Sequence, residues 1–201
     1  MQAIVTSQQI SHFTQFGWIE FEKFLSDEEC AAIHSSILNA VAERLQANVK
    51  KLSRYTNQEL YLNARDCWRN APLLKHFFCS KRCTFVAGSL VNKQAMLLAC
   101  DQWIPSKTVL EPLRLNDHMS CQNLVCGCLL LLDGPQAGYA RFFHPDRFPL
   151  TADSQIAIIY AGINSVYIHN PKDPCNSDLK RYGYSFGDRL DSERHPFCKG
   201  C

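Results

Sequence analysis

Two kinds of hydrophobic spacing divide the chain. From Cys30 onward, apolar side chains recur every three or four residues, through Ile33, Ile37, Leu38, Val41 and Leu45, which is the repeat of one buried helix face. Ser26 stands just ahead, with Glu29 three residues on, so this helix opens with a capping box. Residues 58–68 and 72–78 read as two further short helices. Pro72 falls in the first turn of the second, where its missing N–H costs nothing. Upstream, residues 13–24 alternate in polarity and carry Phe16, Trp18 and Phe21, a pattern that predicts a short strand. Beyond about residue 90 the period changes. Residues 93–100, 124–132, 140–144, 156–160 and 165–169 are short, apolar or β-branched, with turns at Asp133-Gly134-Pro135, Gly138 and Ala161-Gly162 between them. That is the signature of antiparallel strands in a barrel or jelly roll. The expectation is a single domain over residues 1–201, mainly β with N-terminal helices (α+β). Residues 1–90 would form a mostly helical layer and 91–201 a β-rich core.

Composition narrows the classes of partner. A formal net charge of +2 argues against nucleic acid, because binders of polyanions concentrate Lys and Arg on one face. Lys50-Lys51 and Lys81-Arg82 are short pairs of a solvated surface. The longest dense apolar run, residues 125–132, is too short for a membrane span and fits a buried strand. Residues 1–11 lack a signal-peptide core, so the expected setting is cytoplasmic. Eleven cysteines are many for that setting, and an odd number excludes complete internal pairing. Cys198-x2-Cys201 has metal-knuckle spacing but no second matching pair. Cys126 and Cys128 fall on one strand face and read as small buried hydrophobes. Neither a nucleotide-binding glycine loop nor a hydrolase elbow is present.

Three stretches together resemble the phytanoyl-CoA dioxygenase-like family of non-haem Fe(II), 2-oxoglutarate-dependent oxygenases. The first is Phe16-Gly17-Trp18-Ile19-Glu20-Phe21 running into Leu25-Ser26-Asp27-Glu28-Glu29. The second is Cys67-Trp68-Arg69-Asn70-Ala71-Pro72 followed by residues 85–98. The third is the β-rich region from about Leu113, ending in His169-Asn170-Pro171 through Lys180-Arg181. The tail from Asp173 to Leu190 is also similar to a small group of family-like proteins from obligate intracellular bacteria such as chlamydiae. The resemblance implies a distorted double-stranded β-helix (jelly roll, cupin-like). It further implies that His169 stands for the distal iron histidine and that Arg181, or Lys180 by spacing, would grip the far carboxylate of 2-oxoglutarate.

An iron site of this type needs two imidazoles and one carboxylate on one face of the metal, with His-x-Asp the usual source of two of them. His118-Met119-Ser120 stands 51 residues before His169, but serine fills the carboxylate position. His144-Pro145-Asp146 is formally a His-x-Asp. It lies only 25 residues before His169, and its proline suits a turn. The candidate metal ligands are therefore His169, His118, His144 and Asp146, without a complete set. Two expectations follow. In the first, the iron site is incomplete, no cofactor is held, and the protein binds a small molecule or a protein partner. In the second, the chain is an active hydroxylase of a small or lipid-like substrate, using Fe(II) and 2-oxoglutarate.

Overall fold

The structure, a computed structural model, describes residues 5–106, 119–148 and 153–200. Helix α1 (Ser7–Phe16) starts at a Thr6/Gln9 capping box and stops at Gly17, whose φ of 78° is left-handed. Strand β1 (Trp18–Phe21) follows directly. The strand expected over residues 13–24 is thus half helix. The capping box and the glycine stop outweigh the alternation of a few aromatics.

Helix α2 (Asp27–Arg44) opens as its sequence predicts. Ser26 Oγ accepts the Glu29 N–H at 3.3 Å, and Glu29 returns the bond to the Ser26 N–H at 3.0 Å. Asp27, Glu28 and Glu29 put negative charge at the positive end of the helix dipole. Its buried face is Cys30, Ile33, Ile37 and Val41. Helix α3 (Asn57–Leu62) is shorter than the helix expected over residues 58–68. The chain then bridges Arg65 to Gln102, passes through left-handed Asp66, and makes one 3-10 turn at Cys67–Arg69. Helix α4 (Pro72–Phe78) carries Pro72 at its start as expected. Helix α5 (Lys81–Val91) ends at left-handed Asn92.

The strands β2 (Ala95–Ile104), β3 (Leu124–Leu131), β4 (Ala140–Phe143), β5 (Gln155–Gly162) and β6 (Phe197–Lys199) join β1 in one antiparallel sheet, in the order β1-β4-β3-β5-β2-β6. Side-chain alternation sorts β5 cleanly. Ile156, Ile158 and Tyr160 face the helices, and Ala157, Ile159 and Ala161 face the opposite side. Cys126 and Cys128 are fully buried on the helix side, as expected of small hydrophobes. Gly127 lies opposite Phe143, where a Cβ would fall 2.1 Å from the ring, so only glycine lets that ring lie flat on β3.

The second face of the sheet is covered by a thinner layer. Its strips touch through isolated bridges, Cys121 to Tyr167 and Val166 to Arg189. The Gln122 N–H donates to the Val166 carbonyl and the Ile168 N–H to the Ser120 carbonyl. The strand expected over residues 165–169 is present only as these bridges. Leu97, Met119, Leu129, Phe143, Tyr167, Tyr184 and Leu190 fill the space between this layer and the sheet.

Candidate functional site

The inner face of β2 and the loop after residue 168 enclose a cavity of about 30 Å³, lined among others by Arg65, Cys100, Ser120, Asp173, Cys175 and Leu190. That is room for one or two water molecules, about a tenth of the smallest ordinary ligand pocket.

A continuous polar knot closes this space. Arg65 Nη1 donates to Asp173 Oδ1 at 2.7 Å, and Arg65 Nε donates to Gln102 Oε1 at 3.2 Å. Both ion-pair partners are buried. Burial opposes the charge on Arg65, yet the Asp173 carboxylate beside it holds the guanidinium above its ordinary pKa. Asp173 also accepts the N–H groups of Ser120 and Cys175, each at 2.9 Å. The Ser120 hydroxyl donates to Asn176 Oδ1 at 2.9 Å, and the Asn170 N–H reaches the same oxygen at 2.8 Å. Asn176 Nδ2 lies 2.9 Å from His169 Nδ1, its own carbonyl accepts the Tyr167 hydroxyl, and Asn170 Nδ2 donates to the Met119 carbonyl. The thiols at the cavity are held neutral. Burial pushes Cys121 and Cys175 up to about 12 and also raises Cys100.

A second buried polar group sets the chain path into the knot. Arg44, at the last turn of α2, donates to the carbonyls of Asn63, Arg65 and Asp66. Asp101, fully buried in β2, accepts the N–H groups of Cys67 and Trp68 at 3.1 and 3.0 Å. Side chains distant in sequence thereby take the backbone groups that a continued α3 would have used, which is why that helix stops early. Burial and then the Asp66 charge push the Asp101 carboxyl up to about 7. Arg69 stacks between Trp68 and Tyr182, at 4.2 and 3.8 Å from their ring centres, with its guanidinium 3.4 Å from the buried His195 ring.

Among the described residues, those singled out from sequence stand in separate places. His118 lies outside the described residues. His169 is exposed at the rim, with Asn176 on its Nδ1 and Phe186 edge-on at 5.1 Å. Lys180 sits 4.4 Å above the same Phe186 ring. Arg181 is 79% exposed, with Asp178 at 4.0 Å. His144 and Asp146 are 3.6 Å from each other, in a separate open hollow of about 510 Å³ beside Gly17 and Arg147. Among the described residues, no three His, Cys, Asp or Glu side chains gather to hold a metal. Among the described residues, the Ser120 hydroxyl is engaged by Asn176 and the Asp173 carboxylate is paired with Arg65.

The knot itself was largely missed by pattern reading. Asp173 stands in the linear pattern only as the start of the tail, and no spacing singles out Arg65, Asp101 or Asn176. One signal was available, since a charged residue within an apolar strand, as at Asp101, has to be paired.

Comparison with solved structures finds the same fold elsewhere. CT296 from Chlamydia trachomatis matches with a TM-score of 0.58 at 18% identity, over 81% of this chain and 99% of that one. The non-heme alpha-ketoglutarate-dependent carbocyclase SnoK from nogalamycin biosynthesis matches with a TM-score of 0.70 at 12% identity, over 97% of each chain. CytC3 with Fe(II) and alpha-ketoglutarate matches with a TM-score of 0.62 at 13% identity, over 98% of this chain and 89% of that one. No protein-family model matches the sequence, and no curated protein matches it by sequence. At these identities the likeness is one of fold. The chain has the fold shared by Fe(II)/2-oxoglutarate-dependent oxygenases and by the chlamydial protein, in line with the resemblance noted in its sequence. No helix among the described residues is long and apolar enough to cross a membrane.

Proposed function

We propose that this protein is a distorted double-stranded β-helix with an incomplete iron site, working as a binding or interaction protein without a resident cofactor. One observation carries the reading. The described interior beside Ser120 is crossed by the hydrogen bonds of Asp173, Ser120 and Asn176 with the Arg65 ion pair, which supports a site without room for a 2-oxo acid. Ser120 at the His-x-Asp position supports it, because a neutral hydroxyl donated to an amide is a poor substitute for a carboxylate ligand. The thin second layer, joined by bridges between residues 119–122, 165–168 and 188–190, supports the double-stranded β-helix. A cytoplasmic setting is part of the proposal, consistent with cysteines that stand as free thiols.

The competing reading is an active hydroxylase, favoured by the solved neighbour that carries Fe(II) and alpha-ketoglutarate. In it, His169 with His118, or with His144 and Asp146, would hold the metal. Arg181 or Lys180 would hold 2-oxoglutarate, and the substrate would be small or lipid-like. Anaerobic titration with Fe(II) and 2-oxoglutarate separates the two. The binding-protein reading expects no metal-to-ligand absorption band and an unchanged melting temperature. One equivalent of bound iron, the band, and a rise of about 5–10 °C at a hundredfold excess over Kd would establish the hydroxylase instead.

A further inference from the structure

Cys79 closes helix α4 and Cys198 lies in the edge strand β6, 119 residues apart in sequence. Their sulfurs are 3.5 Å apart, with the Cys198 thiol donating to Cys79 Sγ. We propose that Cys79 and Cys198 form a reversible, redox-controlled disulfide, with Cys79 as the attacking thiol and Cys198 as the resolving one.

The division of labour follows from exposure and surroundings. Cys79 is partly exposed, whereas Cys198 is fully buried behind it. The hydrogen bond from Cys198 and the Lys75 ammonium one turn earlier favour the Cys79 thiolate, whose pKa falls below the ordinary cysteine value. The other described thiols move the opposite way. Burial raises Cys30, Cys67, Cys83, Cys100, Cys121, Cys126, Cys128 and Cys175, which leaves them poor nucleophiles. Forming the bond closes the sulfurs from 3.5 Å to the bonded distance of about 2 Å.

The oxidant is a small-molecule disulfide of the glutathione class. The Cys79 thiolate attacks one of its sulfurs, forming a mixed disulfide and releasing one small thiolate. Cys198, giving its proton to that thiolate or to water, then attacks Cys79 Sγ and expels the second small thiolate. Two protein thiols lose two electrons, and the small disulfide is reduced to two thiols.

The bond would join β6 to α4. Strand β6 is three residues long and pairs with Ala95, Met96 and Leu97, with the Pro196 carbonyl and the Gly200 N–H bonded to Leu98 and Gln94 on either side. Oxidation adds a covalent tie from this edge to α4.

The test incubates the full-length protein with oxidised glutathione under native conditions, then blocks free thiols and maps peptides. Wild type should lose two thiols and yield a peptide joining Cys79 to Cys198, with a melting temperature about 5–10 °C above the reduced form. C198S should accumulate a glutathione adduct on Cys79, and C79S should form neither product. If either variant fails to fold, limited alkylation of reduced wild type serves instead, and Cys79 should react first. Absence of the joined peptide in wild type, or preferential reaction at another cysteine, overturns the proposal.

Discussion

Truncating Asp173 to alanine removes three interactions at once. These are the buried ion pair with Arg65 at 2.7 Å and the acceptor for the N–H groups of Ser120 and Cys175. Breaking a buried pair from one side costs about 3–5 kcal/mol, because the remaining charge stays in a poorly solvating interior. Each orphaned N–H adds on the order of 1 kcal/mol. The expected loss for Asp173→Ala is about 5–7 kcal/mol, a large share of the 5–15 kcal/mol by which domains are stable. Arg65→Met removes the charge but keeps an apolar stem, and leaves Asp173 with its two backbone donors. Its loss should be smaller, about 2–3 kcal/mol. The double variant no longer carries an unpaired charge. Urea unfolding of all four proteins should therefore give a coupling energy of at least about 2 kcal/mol. Amide exchange should accelerate at Asn170, Cys175 and Asn176 in Asp173→Ala, because the knot organises those N–H groups. If the two single variants each cost under about 1 kcal/mol and simply add, the knot does not hold the interior shut. The proposal that it replaces a cosubstrate pocket then loses its main support.

Other expectations follow from the same geometry. Asp101 keeps its proton in the folded state up to about pH 7, whereas an unfolded carboxyl releases it near pH 4. Its contribution is thus fully present at low pH and lost as pH rises through 7. Relative to Asp101→Asn, wild type should weaken by about 2.5 kcal/mol between pH 5 and 7.5, and parallel pH profiles in urea would contradict this. Gly127→Ala drives a methyl into the Phe143 ring, with an expected loss of about 2–3 kcal/mol. Gly127→Ala combined with Phe143→Leu should recover part of it, which thermal melts would register. Ser26→Ala removes the α2 cap and should cost about 1 kcal/mol; an effect below about 0.3 kcal/mol would mean that packing alone positions the helix.

Local chemistry was legible in the sequence, and pairing between distant residues was not. The α2 capping box, the Pro72 start and the run of β3 could be read because each rests on neighbours within a few residues. The early stop of α3 could not, since it depends on Arg44 and Asp101 reaching backbone groups across the fold. The same holds for the site. His169 and Ser120 drew notice through a linear motif. Their fate is set by Asn176, which takes the Ser120 hydroxyl on one side and His169 on the other, and no spacing rule announces that. The exposed place of Arg181 likewise depends on a short 3-10 turn at Asp178–Tyr182.

The sheet also fixes an order of events in synthesis. Trp18 pairs with Phe143 and Phe21 with Ala140, so the first strand made must wait for one emerging about 120 residues later. At ribosomal speeds of about 5–20 residues per second, that delay is on the order of 10 s. During it, α1 and α2 are complete, but the sheet surface they cover does not yet exist. The nascent chain thus presents Phe13, Ile33, Ile37 and Val41 to its surroundings for seconds.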